Sequence, residues 1–325
     1  MYFSVKYKIK AFIPRNFINF FSFRNIKIVD SIRPDILHFP GGIYPQAAVF
    51  SLLYNIHRKY PIVNTVHGIF SPSAIFRVKS LTFVLLAGLA DCISYLVKSD
   101  IIIVHTQEDK DKLVRRGINP RNIVIIPHGT YTFFKKYCKS KILNDKDYVL
   151  FFGYIRENKG IKYLIKAAPI ICKEVPDAKI IIAGEGDITS IEPIKDKSKF
   201  EIYNEYVPNE KVSELFQRAK VVVLPYTHTG GHSGVLTIAY AFGKPVVVTN
   251  VGDFPKLAER AGLVVPAKNS KALAEAIIKI LKDDKLRKKM SRNALKKAEK
   301  LSWDNIAKRH IEVYKEVLRR WKLET

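Results

Sequence analysis

Short β-rich apolar runs alternate with amphipathic stretches along this whole chain, and that alternation limits its fold more than any other feature. Apolar runs separated by helix-length segments suit a parallel sheet covered on both faces. The runs are Asp35–Phe39, Ile62–Val66, Ile101–Thr106, Ile123–Ile126, Val149–Gly153, Lys179–Ala183, Val221–Leu224 and Pro245–Thr249. In doubly wound sheets, ligands gather outside the carboxyl ends of the strands. The residues ending these runs, His38, His67, Thr106, His128, Gly153, Gly184 and Pro225, therefore stand where a site would form. A structural role accounts for each of them equally well when taken singly.

A length of 325 residues suits two domains. The polar run CKSKILNDK between Tyr137 and Asp147 has no clear period and reads as the linker. The expected division is 1–146, then 147–302, then a helix over 303–325 with Ser302 as its N-cap, packing back on the first domain. Before that helix, KALAEAIIKILKDDKLRKKMSRNALKKAEK keeps Leu273, Ile277, Ile280 and Leu281 on one face and lysines on the other, which reads as a solvated helical surface.

Lys+Arg total 55 against 30 Asp+Glu, a net charge of +25, which suits an anionic partner. Lysines outnumber arginines 39 to 16, so solvated helix faces are an equal explanation. Nucleic acid is not the expected partner, since no recognition motif or stacking platform accompanies the charge. Cys92, Cys138 and Cys172 form no CxxC pair, which fits a reducing cytoplasm. No secretory signal is read at the start, and Leu81–Val97, interrupted by Asp91, reads as a buried helix and not a span. The segment Ala11–Val29, with Phe12, Phe17, Phe20, Phe21, Phe23, Arg15 and Arg24, suits either an interfacial helix on an anionic membrane or a core helix.

Three strand-to-helix turns carry the chemistry. In FFGYIRENKGIKYLIKA, Gly153 is followed by Arg156, Lys159 and Gly160 before a helix; N–H groups, a planar guanidinium and an ammonium are what phosphate oxygens require. IIIAGEGD places Gly184 and Gly186 after another strand, which a tight turn explains as well as a partial dinucleotide motif does. In VVVLPYTHTGGHSGVLTIAYAFGKPVVVTNVGDFPKL, a buried strand, the loop Gly230–Gly234 and a helix from Val235 to Phe242 make a second anion site. Two such turns in one half suggest a diphosphate.

The order FFGYIRENKG, AKIIIAGEGD, EYVPNEKVSELFQRAKVVVLPY, SGVLTIAYAFGKPVVVTNVGDFPKL, AGLVVPAKNSKALAEAI and SWDNIAKRHIEVYKEVL resembles the donor-binding half of the family 4 glycosyltransferases, which are retaining enzymes of GT-B fold. RPDILHF, VNTVHGIF, KSDIIIVHT and NIVIIPHG are similar to the family's acceptor-domain strands. The resemblance implies an α/β, GT-B-like fold of two Rossmann-type doubly wound domains with C-terminal helices. It also implies that Arg156 and Lys159 hold a sugar nucleotide's diphosphate, and that Gly153, Gly184, His232, Ser233, Gly234 and Val235 line the donor site. Tyr206 and Val207 would flank the base, and His67 would lie near the donor sugar. No cofactor and no metal are expected; the nucleotide-diphosphate sugar is a co-substrate.

Two departures accompany the resemblance. The family's Glu-x7-Glu pair falls on Gly230 and Ile238, which removes both carboxylates, and roughly one to two βα units of the first sheet are expected to be missing at the start. The expected function is retaining transfer of a sugar to a hydroxyl of a glycan or lipid-linked acceptor, in the cytoplasm or peripherally on the inner face of the membrane. A catalytically silent or partner-dependent binding subunit stays open beside it, as does a sugar-nucleotide epimerase.

Overall fold

A computed structural model of the chain describes residues 31–40, 59–67, 99–138, 146–187, 194, 196–228 and 233–324. Their contacts divide the chain into two units, Met1–Ile103 with Ile118–Val124 and Val313–Thr325, and Val104–Gly117 with Ile125–Glu312. The aromatic segment 11–29, the apolar run 81–97, Cys92 and linker residues 139–145 lie outside the described residues. Among the described residues no helix is long and apolar enough to cross a membrane.

The first sheet has four strands in the order β1 (Leu37–Pro40), β2 (Ile62–Val66), β3 (Ile101–Val104) and β4 (Ile123–Ile125). β1 and β2 run parallel, with His38 beside Val63. The expected third strand stops two residues early for a local reason. Thr106 caps helix α1 (Gln107–Arg115), its hydroxyl accepting from the Asp109 N–H at 3.0 Å and donating to the Asp109 carboxylate at 2.7 Å.

The second sheet takes β5 (Asp147–Phe152), β6 (Ala178–Ala183), β7 (Phe200–Tyr203), β8 (Val221–Leu224), β9 (Val246–Thr249) and β10 (Gly262–Val265) in the order β10-β9-β8-β5-β6-β7, with every neighbouring pair parallel. The chain starts in the middle, winds out through β6 and β7, then returns to the other side of β5. That reversal makes the boundary between β5 and β8 the topological switch point, outside whose carboxyl ends open α/β sheets bind their ligands.

Helices α2 (Ile161–Glu174), α3 (Asn209–Arg218), α4 (Gly234–Ala241), α5 (Phe254–Ala258), α6 (Ser270–Lys282) and α7 (Asp284–Lys300) follow within this unit, and α8 (Trp303–Glu324) ends the chain. The Ser302 hydroxyl accepts from the Asn305 N–H at 3.3 Å, as its N-cap position requires. Val149, Leu150 and Phe151 of β5 and Val221 and Val222 of β8 are fully buried, which is why these runs read as unbroken apolar strands. β7 and β10, the edge strands, were not among the expected runs.

Candidate active site at the sheet switch point

Beyond the ends of β5 and β6 the two chains stay paired. Gly153 N–H donates to Ala183 O at 2.9 Å, Ile155 N–H donates to Glu185 O at 2.9 Å, and Ile155 bridges Gly186. Gly184 N–H reaches Tyr203 O at 2.9 Å and Gly186 N–H reaches the Asn204 side chain at 3.1 Å, so the glycines of IIIAGEGD knit three loops together. Arg156 emerges from this platform in extended conformation, exposed, with its guanidinium carbon 5.0 Å from the centre of the exposed Tyr154 ring.

One turn of 3-10 helix, Glu157–Lys159, then presents Lys159. Its ammonium lies 3.8 Å from the centre of the Tyr226 ring, on the loop after β8. Two contacts hold the loops this close. Thr227 N–H donates to Asn158 O at 2.9 Å, and Gly160, with φ +68°, passes so near the other loop that a Cβ on it would lie 1.9 Å from Pro225 O. Only glycine fits there on both counts.

The loop after β8 delivers the second half of the site. Tyr226 is buried; its hydroxyl lies 3.5 Å from the Ser233 hydroxyl and its carbonyl accepts from Thr249 Oγ1 at 2.6 Å. Gly230, Gly231 and His232 lie outside the described residues. α4 starts at Gly234, and the N–H groups of Gly234 and Val235 make no hydrogen bond among the described residues, so they carry the positive end of the helix outward. A Cβ built on Gly153 would sit 3.5 Å from the Val235 side chain, which brings the first turn of α4 against the end of β5.

Gly153, Lys159, Ser233, Gly234 and Val235 are thus brought to the loops of one switch point, with Gly184 and Arg156 on the adjoining platform. Tyr206 is 76% exposed and Val207 buried in the loop between β7 and α3, the same loop whose Asn204 holds Gly186. His67 belongs to the other unit, half-buried just past β2. Ile238 is buried on α4, and an apolar side chain there offers no acceptor for a ribose diol. Sequence reasoning missed Tyr226; its position directly after Pro225 at the end of a switch-point strand was the available signal. Among the described residues no group of three or more His, Cys, Asp or Glu is placed to hold a metal ion.

Comparison with known proteins agrees with this architecture. The family described as glycosyl transferases group 1 matches residues 134–297, about half of the chain, and glycosyltransferase family 4 matches residues 4–132. An uncharacterized glycosyltransferase of Methanocaldococcus jannaschii is 33% identical over 225 residues, covering 66% of this chain and 56% of that one. Phosphatidyl-myo-inositol mannosyltransferase of Mycolicibacterium smegmatis is 31% identical over 175 residues, covering 52% and 45%. The chain therefore spans about half the length of these relatives. HepE of Anabaena, solved in complex with UDP, superposes with a TM-score of 0.70 at 17% identity over 90% of this chain and 81% of that one, which shows the shared GT-B fold. On the match across its second unit, the chain belongs to the group 1 glycosyl transferases.

Proposed function

We propose that this protein transfers a sugar, with retention at the anomeric carbon, from a nucleoside-diphosphate donor to a hydroxyl of a glycan or lipid-linked acceptor. One observation carries the reading: Lys159 stands over Tyr226, whose hydroxyl lies 3.5 Å from Ser233 just before α4, so the ammonium and the α4 N–H groups that make no hydrogen bond among the described residues lie on the two loops of one switch point, where a diphosphate would meet both. Negative charge builds on the departing phosphate oxygen in the transition state, so fixed donors aimed at that oxygen lower the barrier more than they tighten the ground state. Lys159, held over Tyr226, and Arg156, free to fork onto two oxygens, would supply this, with Ser233, Gly234 and Val235 beneath. The departing diphosphate would take the acceptor's proton. Tyr206 and Val207 would border the base, and His67 the sugar.

Similarity to the phosphatidyl-myo-inositol mannosyltransferase of Mycolicibacterium smegmatis supports a lipid-linked acceptor, and the net charge of +25 favours peripheral docking on an anionic membrane. Calorimetric titration with UDP, GDP and ADP tests the donor site. Binding of one nucleotide, lost in the Arg156→Ala/Lys159→Ala double variant, is expected; no binding of any of the three overturns the reading. Retention is read from the anomeric coupling of the product.

A second reading, a binding subunit without catalysis, is favoured by Ile238 in place of a carboxylate. Nucleotide binding without turnover over a panel of glycan and lipid-linked acceptors would decide for it.

A further inference from the structure

The first residue of α4 has a neighbour that the diphosphate reading does not use. A Cβ built on Gly234 would lie 3.1 Å from Tyr131 Cε2 and 3.9 Å from its hydroxyl, so the Tyr131 phenol stands beside the helix end where the phosphates are expected. Tyr131 follows β4 and belongs to the same unit as α4. Its ring is fixed from behind by Trp303, with centroids 6.4 Å apart, and Trp303 also packs at 5.3 Å against His128. The Tyr131 hydroxyl lies 3.3 Å from His128 Nε2.

The hydrogen-bond directions follow from the backbone. His128 Nδ1 is 2.9 Å from Gly129 O, a carbonyl that can only accept, so Nδ1 carries the hydrogen and Nε2 presents its lone pair. The Tyr131 O–H therefore donates to Nε2, which leaves only lone pairs to face an incoming anion. Among the described residues His105 also meets the His128 ring, at 5.8 Å, and its own Nδ1–H donates to Ile126 O at 2.8 Å. Burial holds the His128 imidazole below its usual range, with the Gly129 bond opposing, so the ring is neutral near pH 7 in the free protein.

We propose that Tyr131 binds the donor diphosphate through its hydroxyl, and that His128 takes up a proton as it does so. One proton moves from solvent to Nε2; the new N–H donates to the Tyr131 oxygen, and the tyrosine hydrogen turns to a phosphate oxygen. No bond of the ligand is made or broken, and the imidazolium adds a positive charge behind the phenol. The inference rests on the reading that a nucleoside diphosphate sits at the start of α4.

Titration calorimetry near pH 7 with UDP-glucose and GDP-mannose, whose esterified diphosphates do not titrate there, in two buffers of unlike ionisation enthalpy, tests it. For the wild type we expect uptake of between about one half and one proton per bound ligand. Tyr131→Phe keeps the ring packed on Trp303, and it should bind roughly tenfold more weakly and without uptake. His128→Gln should also lose the uptake, with thermal midpoints showing both variants folded. Wild-type binding without proton uptake overturns the proposal, as does a Tyr131→Phe variant with unchanged affinity. Lys159→Ala separates the two ideas: binding that depends on Lys159 but not on Tyr131 sinks this inference alone, whereas failure of both probes, and of ADP-glucose beside them, to bind the wild type sinks the donor reading with it.

Discussion

Replacing Gly160 by alanine should damage both stability and donor binding, and the two costs can be worked from the geometry. At φ +68° an L-residue pays roughly 1–2 kcal/mol for the left-handed conformation. The added methyl would lie 1.9 Å from Pro225 O, where an ordinary C···O contact is about 3.3 Å, so the Glu157–Gly160 turn must withdraw by more than about 1 Å. That withdrawal breaks the Thr227 N–H to Asn158 O bond and lifts Lys159 from the Tyr226 ring, together roughly 1–2 kcal/mol more. A total near 3 kcal/mol is expected in urea denaturation. Gly117→Ala is the control: it has φ +87° but nothing within 4 Å of the added carbon, and so carries the conformational cost alone. Nucleoside-diphosphate affinity should fall by about tenfold or more in Gly160→Ala and stay unchanged in Gly117→Ala. Equal destabilisation of the two variants, with donor affinity intact, would refute the close approach of these loops as the device that places Lys159.

Three further outcomes follow from the second unit. Tyr240 is buried and its hydroxyl donates to Leu257 O at 2.6 Å, so Tyr240→Phe should cost roughly 1–2 kcal/mol in urea denaturation through the orphaned carbonyl. Thr249→Val removes the 2.6 Å bond to Tyr226 O and should cost a similar roughly 1–2 kcal/mol while also weakening nucleoside-diphosphate binding, because Tyr226 underlies Lys159. Burial, helped by nearby Arg287, pushes the Lys244 ammonium down to about 8 from its ordinary 10.5. The unfolded chain then holds a proton that the folded one lacks between those two values, so this group's contribution to stability rises with pH across that window; urea midpoints measured from pH 8 to 10.5 should climb less in Lys244→Met than in the wild type.

What could be read from the chain beforehand depended on how completely a segment is buried. Val221–Leu224 is observed at its expected limits, because a central strand of a parallel sheet is apolar on both faces and stops where the apolar run stops; Ile62–Val66 is too, although Asn64 and Thr65 are buried within it. β7 reads FEIY, with none of its residues buried, and β10 is four residues with a glycine; as edge strands they bury too little to leave an apolar signature. Thr106 reads as the residue that closes the apolar run, yet its hydroxyl serves as the cap of the helix that follows.

The same division runs through the site. Arg156, Lys159 and Ser233 to Val235 stand out because strand, glycine and helix succeed one another in sequence, so each turn proposed to bind an anion is local. Tyr226 and Tyr131 did not, since each acts on a segment far along the chain: Tyr226 beneath Lys159, Tyr131 beside Gly234. A tyrosine after a strand carries no mark of the residue it will meet. Only the return of the chain from β7 to β8, across the first strand of the sheet, brings Tyr226 to the lysine, and it is this crossing that sets a cation on one loop and a helix end on another at the same switch point, which is what the proposed diphosphate site requires.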